Sequence, residues 1–265
     1  CDAATGGLDH GRNAVIPLPM QNDAEPAPLP ADSNGDKPIM PFSSQPSEPI
    51  RQLLAGIRAF RARYYERRPD SMRQLATEGQ HPEVLLIGCS DSRVDPALLT
   101  MAEPGELFVV RNVANLVPPY QPDGAYHGTS AAIEYAVKSL KVSEIIVLGH
   151  AQCGGIQGLI RLRAGQKSED DFVSPWVSIA GSALDPYVGP EGSEQARADA
   201  EKLQNTPAII ERAAVRASVD NLMTFPFVRE RVEAGTLNIH GWWFDIQSGE
   251  MWAINPATRL FQPVD

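Results

Sequence analysis

Hydrophobic residues make up 43% of the 265-residue chain, the balance of an ordinary globular protein, and no apolar run approaches the ~18 residues of a membrane-spanning helix. The formal net charge of −10 argues against a general nucleic-acid binder, because neutralising phosphates requires a basic face. Three cysteines, Cys1, Cys89 and Cys153, are too few and too far apart for a secreted disulfide framework, which leaves metal binding or catalysis as their use.

Residues 1–49 hold 9 of the 23 prolines, and 7 acidic against 2 basic residues there carry −5, half of the net charge. No apolar periodicity runs through Asp2 to Ser47, so residues 1–48 are expected to be a disordered Pro/Asp-rich tail, with a folded domain over 49–265. The chain starts at Cys1 rather than Met. Without a signal-peptide apolar region the expected location is the cytoplasm, the alternative being a periplasmic form lipid-anchored through Cys1. Order is expected from Ser47, an N-cap with Pro49 in the first turn. Ile50, Leu53, Leu54, Ile57, Phe60 and Tyr64 then follow at helical spacing, forming an amphipathic arm from Pro49 to Tyr64.

Short apolar runs next alternate with helical patterns, the signature of an α/β fold with a mostly parallel central sheet flanked by helices. Val84–Gly88, Leu107–Val110 and Ile145–Leu148 read as strands. Thr129–Leu140 reads as a helix with Ile133, Ala136, Val137 and Leu140 on one face. A loop-rich stretch is expected after Asp171, then a long helix through Asn205 to Asn221, and a strand over Leu237–Ile246.

Two of these strands end in unusual residues, and in open α/β sheets functional groups gather at the carboxyl ends of strands. "EVLLIG" runs into Cys89-Ser90-Asp91-Ser92-Arg93, and "EIIVLG" into His150-Ala151-Gln152-Cys153-Gly154-Gly155. Thiolate and imidazole are the donors Zn²⁺ prefers. No fourth donor presents itself: Cys1 lies in the tail, and His81, His127 and His240 stand at no partner spacing. Three protein ligands with an open position is the catalytic pattern, in which the metal lowers the pKa of water to about 7. Asp91 is close enough in sequence to Cys89 either to ligate the metal or to accept a hydrogen bond from that water. Arg93 can pair with Asp91 in a bidentate fork and hold it off the metal.

"CSDSRVDP", "PGELFVVRNVANLV", "GTSAAIEYAV" and "LGHAQCGG" together resemble the β-class carbonic anhydrases, densely over Gln80 to Leu159. The ending "NLMTFPFVRERVEAGTLNIHGWWFDI" is similar to that family's C-terminal region. The resemblance implies a zinc lyase that reversibly hydrates CO₂ to bicarbonate and a proton through zinc-bound hydroxide, with one Zn²⁺ per chain held by Cys89, His150 and Cys153. Asp91 and Arg93 fall on the family's catalytic dyad. A finer similarity, to the plant-like subtype, places Gln80, Phe108 and Tyr135 in a substrate pocket supplied by the neighbouring subunit, with Val113 and Gly154 completing an apolar wall. That arrangement implies a homodimer at least, with a tetramer or octamer as the larger alternatives, the arm helix embracing the partner and the C-terminal strand and helix region at the interface. Members with a bicarbonate-bound off state resemble a pattern with tryptophan three residues before the first cysteine. Here that position is Leu86, and Arg111 lacks this companion, so Asp91 is expected to stay off the zinc near neutral pH.

Two other functions compete with this one. Hydrolysis of carbonyl sulfide or carbon disulfide would use the same nucleophile with a different pocket, whereas a zinc or redox sensor would be expected to have lost the dyad. A phosphate loop at Gly154-Gly155 lacks the required lysine spacing, and Trp242 and Trp243 have no basic patch that would make them a nucleotide platform.

Overall fold

The computed structural model describes residues 46–264, which divide between Ala55 and Gly56 into two units. The tail expected over residues 1–48 lies, but for its last three residues, outside the described part, as does Cys1. Helix α1 (Glu48–Arg61) is followed by a wider, π-helical turn at Ala62–Glu66 and by α2 (Pro69–Glu78). The arm therefore forms where its apolar spacing placed it, but its last turn is widened at the aromatic pair Tyr64-Tyr65 rather than α-helical to Tyr64.

The sheet is built from β1 (Val84–Cys89), β2 (Leu107–Asn112) and β3 (Glu144–His150), with α3 (Pro96–Thr100) between β1 and β2 and α4 (Gly128–Glu134) between β2 and β3. Each strand runs one or two residues beyond its apolar stretch, because the ladder continues into the polar residues at its end. Helix α4 ends in a second π-helical turn at Tyr135–Leu140. Beyond α5 (Gly154–Arg163), the stretch expected to be loop-rich holds α6 (Val173–Val177), a 3₁₀ turn at Ser178–Ala183 and α7 (Glu194–Gln204). These helices bury few residues, Val177 in α6, Ala180 and Ala183 in the 3₁₀ turn, and Ala196, Ala200 and Leu203 in α7, and lack a long apolar stripe. The long helix expected from Asn205 begins later, as α8 (Ala208–Leu222). Pro207 forces the break, since the residue before a proline is disfavoured in helical conformation.

Helix α9 (Pro226–Glu233) leads into β4 (Asn238–Phe244), which stops short of Ile246 at a turn, and β5 (Met251–Ile254) and β6 (Phe261–Pro263) finish the sheet. The order is β2-β1-β3-β4-β5-β6. The first four strands run parallel and the last two antiparallel. Alternation along β1 sends Leu85 and Ile87 to one face, against Ile133, Val137 and Val215, and Leu86 to the other, against Ile146 and Leu148. Helix α8 lies unusually close to the sheet. A methyl group on Gly149 of β3 would stand 2.5 Å from Val215 Cγ2, and one on Gly241 of β4 would stand 3.0 Å from Val215 Cγ1. Among the described residues no helix is long and apolar enough to cross a membrane.

Candidate metal centre

β1 and β3 are adjacent and parallel, so the residues that follow their apolar runs emerge side by side at one edge of the sheet. Cys89 closes β1, His150 closes β3, and Cys153 stands at the N-terminus of α5. All three are buried, and their ligand atoms lie within 4.8 Å of one another. The two sulfurs are 4.0 Å apart and not bonded to each other. Two sulfurs each ~2.3 Å from a tetrahedral zinc would be about 3.8 Å apart, so the spacing fits the ion.

The imidazole is oriented for the same task. His150 Nδ1 hydrogen-bonds the Ala151 carbonyl at 2.8 Å, which puts the proton on Nδ1 and the lone pair on Nε2. Nε2 is buried with no hydrogen-bond partner. An orphaned acceptor facing two free thiols is a costly arrangement unless an electrophile fills it. Without the metal, the hydrogen bond from Cys153 and the neighbouring imidazole pull Cys89 down to about 4. Cys153, left with the proton of the pair and buried, is pushed up. His150 loses by burial but gains more from the Cys89 thiolate, and its net direction is up.

Asp91 follows in the turn after β1. Arg93 donates to it from Nε at 2.9 Å and Nη2 at 2.8 Å, and the Arg93 backbone N–H adds a third bond at 3.0 Å. The fork holds the Asp91 carboxyl far below the usual carboxylate range. Asp91 Oδ2 remains 3.9 Å from His150 Nε2, beside the ligands and turned toward Arg93. Arg93 Nη2 also reaches the Gln152 carbonyl at 3.3 Å, linking the two ligand loops. Arg111 on β2 braces the first loop, donating to the carbonyls of Cys89 (2.8 Å) and Asp91 (2.7 Å) and to Asp95 Oδ2 (2.8 Å). Leu86, at the position noted for its missing tryptophan, is wholly buried against Ile146 and Leu148.

The remaining candidates divide. Val113 leans on the first turn of α5, where a methyl group on Gly155 would stand 2.9 Å from Val113 Cγ1; Gly154 faces open space. Phe108 and Tyr135 sit together, with ring centroids 5.7 Å apart, but not beside Cys89, His150 and Cys153. Phe108 pairs with Leu85, whereas Cys89 pairs with Asn112, a separation of about 13 Å along the strand at ~3.3 Å per residue. Gln80 precedes β1 at the sheet's opposite end and is exposed. A groove of about 560 Å³ runs between Phe60, Tyr64, Leu98, Met101, Leu107 and Val109, apart from the three ligands. Among the described residues the other histidines are engaged elsewhere, His81 with the Glu78 carbonyl at 3.2 Å, His127 with Asp123 at 2.7 Å and His240 with Glu144 at 2.7 Å.

One residue beside the centre carries no motif. Glu211 of α8 is only 2% exposed, and it accepts from the Cys153 backbone N–H at 3.1 Å and from Trp243 Nε1 at 3.2 Å. Burial pushes its pKa up. The apolar stripe of α8 supplied the only sequence signal, since a carboxylate on that buried face breaks the pattern.

Residues 84–251 match the sequence profile of the family described as carbonic anhydrase. A carbonic anhydrase of Synechococcus elongatus is 39% identical over 211 residues, 78% of this chain and 72% of that protein. Among solved structures, the β-carbonic anhydrase CcaA superposes with a TM-score of 0.69 at 34% identity, covering 83% of this chain and 93% of its own. One of two tetrameric β-carbonic anhydrases from the ascomycete Sordaria macrospora gives 0.65 at 29% identity, over 79% of this chain and 98% of its own.

Proposed function

Because this chain belongs to the β-class carbonic anhydrase family, we propose that Cys89, His150 and Cys153 hold its zinc and that Asp91, gripped by Arg93, orients the attacking water. The protein catalyses the zinc-dependent, reversible conversion of CO₂ and water to bicarbonate and a proton. The observation that carries the ligand assignment is the buried, unpartnered Nε2 of His150 facing two free thiols. Zinc supplies the Lewis acidity that makes water a nucleophile near pH 7.

The chain's own residues do the rest. Asp91, kept ionised by the Arg93 fork, accepts a hydrogen bond from the attacking water and so directs its remaining lone pair at the carbon. Because both carboxylate oxygens are engaged by Arg93, Asp91 stays off the metal near neutral pH. Val113 provides apolar wall for a nonpolar substrate, and Gly154 leaves room for it. The Gln80 amide N–H donates to an oxygen of CO₂ or bicarbonate. The released proton passes to buffer or an exposed base.

Gln80, Phe108 and Tyr135 complete the pocket from a second copy of the chain, and the active unit is at least a homodimer. Three observations support this. Phe108 is too far along its strand to reach the ligands of its own chain. Tyr135 is half exposed. The apolar side chains Ile57, Phe60, Leu98 and Met101 are also exposed, the last three along one groove, which is surface of the kind that subunits cover. Free ligand thiols suit a reducing compartment, and we place the protein in the cytoplasm.

Stopped-flow CO₂ hydration on zinc-quantified protein, from about pH 6.5 to 9 and beside Asp91→Ala, tests the assignment. About one zinc per chain, a rate rising near neutrality and a loss of about 10²–10⁴-fold in the variant are expected. Bound zinc without CO₂ turnover would overturn it, and parallel assays with CS₂ would then decide for a heterocumulene hydrolase.

A further inference from the structure

The buried carboxylate of Glu211 has no part in the chemistry just described. It sits in the first turn of α8, where the helix dipole favours a negative charge. Its chain neighbour Arg212 does not neutralise it, being turned over the rings of Trp243 and Trp252 at 4.1 and 4.2 Å. Burying a carboxylate is costly unless its lone pairs are satisfied and its charge is balanced. Both oxygens do accept hydrogen bonds, one from the Cys153 backbone N–H at 3.1 Å and one from the Trp243 indole at 3.2 Å. The first of these partners belongs to a metal-ligand candidate.

The geometry around that bond is tightly fixed. Gln152, the residue before Cys153, has a left-handed backbone at φ 57°, which is uncommon without glycine. Cys153 has an extended φ/ψ of −70°/116° as the residue preceding α5. Such a turn needs its N–H anchored to hold one conformation. Glu211 is the anchor, and it reaches the turn because Val215, one helical turn further on, fits against the bare Gly149 backbone.

We propose that Glu211 is a positioning residue for the zinc site, fixing the turn between β3 and α5 so that the Cys153 sulfur and the His150 ring meet the metal in one geometry. This rests on the assignment of Cys89, His150 and Cys153 as the ligands. The competing role is purely structural, a tie from α8 to β4 through Trp243. The two roles use different oxygens of one carboxylate, so they can be separated.

Two double variants make the separation. Removing the indole donor with Trp243→Phe leaves Cys153 N–H as the one group that residue 211 must satisfy. E211Q/W243F keeps an acceptor for it, whereas E211M/W243F presents an apolar chain of similar length and leaves the N–H buried and unpaired. Zinc retention against a competing chelator, and the visible absorption of the Co²⁺-substituted proteins, are measured beside the parent and W243F. Metal-free melting temperatures check folding.

Retention and cobalt bands near those of the parent are expected for W243F and E211Q/W243F. A roughly 10–100-fold weaker hold on zinc and shifted bands are expected for E211M/W243F, the range seen when a group supporting a metal ligand is lost. Equal retention and matching spectra in the two double variants would overturn the proposal, as would a W243F loss equal to that of E211M/W243F. If E211M/W243F does not fold, E211Q alone supplies the comparison, because its amide nitrogen opposes one of the two donors. A parent chain that holds no zinc would instead overturn the ligand assignment itself, and Glu211's role with it.

Discussion

Asp91 and Arg93 show how much one ion pair two residues apart can decide. The fork keeps Asp91 ionised well into acid. Arg93→Ala would release it toward the ordinary carboxylate value of about 4, so the acid limb of the kcat/KM profile should move to higher pH, with the largest relative loss at the acid end. Stability carries the same sign. A depressed carboxylate contributes above its unfolded pKa, and that contribution fades as pH falls toward the folded value. Parent and variant melting curves should therefore converge in strong acid. A second residue-scale prediction concerns the thiols. Chelation should expose two further cysteines to alkylation, and mass mapping at early times should find Cys89 modified before Cys153, because Cys89 is pulled down to about 4 and Cys153 is pushed up. Equal labelling of the two, or none, would contradict this. The meeting of Cys89, His150 and Cys153 beside the Asp91–Arg93 pair was legible in sequence because strand ends present their last residues to one place. Glu211 was not, since it is far along the chain from Cys153, and a glutamate in a helix ordinarily marks a solvated face.

At the scale of elements, the notch at Gly149 and Gly241 sets how closely α8 approaches the sheet. Gly149→Ala would drive a methyl into Val215, and overpacking of this kind costs about 1–3 kcal/mol. The melting temperature should fall, and adding Val215→Ala should recover part of the loss, because the two positions touch. Unchanged melting in the single variant would mean that α8 can move away freely. Helices with one long apolar stripe, α1 and α8, and the fully apolar strands β1 and β3 were readable from periodicity. Helices α6 and α7 were not, as α6 buries only Val177 and α7 only Ala196, Ala200 and Leu203, and both lie among glycines and prolines. The short antiparallel strands β5 and β6 escaped because three or four residues carry too little alternation to distinguish a strand from a loop. The widened turns at Tyr64 and Tyr135 are decided by packing, which a residue pattern does not encode.

For the whole molecule, the sheet order places Cys89 and His150 at one end of β1 and β3 and leaves Phe108, one strand over, near the opposite end of β2. On the two-copy assembly proposed above, each centre takes its metal half from one chain and its pocket half from another. Removing the arm by a truncation within 56–66 should then lower activity steeply with dilution, with light scattering showing a smaller particle; a fully active monomer would refute the shared pocket. The roughly 13 Å between Phe108 and Cys89 also has a genetic consequence. A chain crippled at Cys89 and a chain crippled at Tyr135 carry complementary defects, and each is inactive as a homodimer. Refolded together in equal amounts they should regain about a quarter of the parental sites, because half of the dimers are mixed and each mixed pair assembles one intact centre from two broken genes.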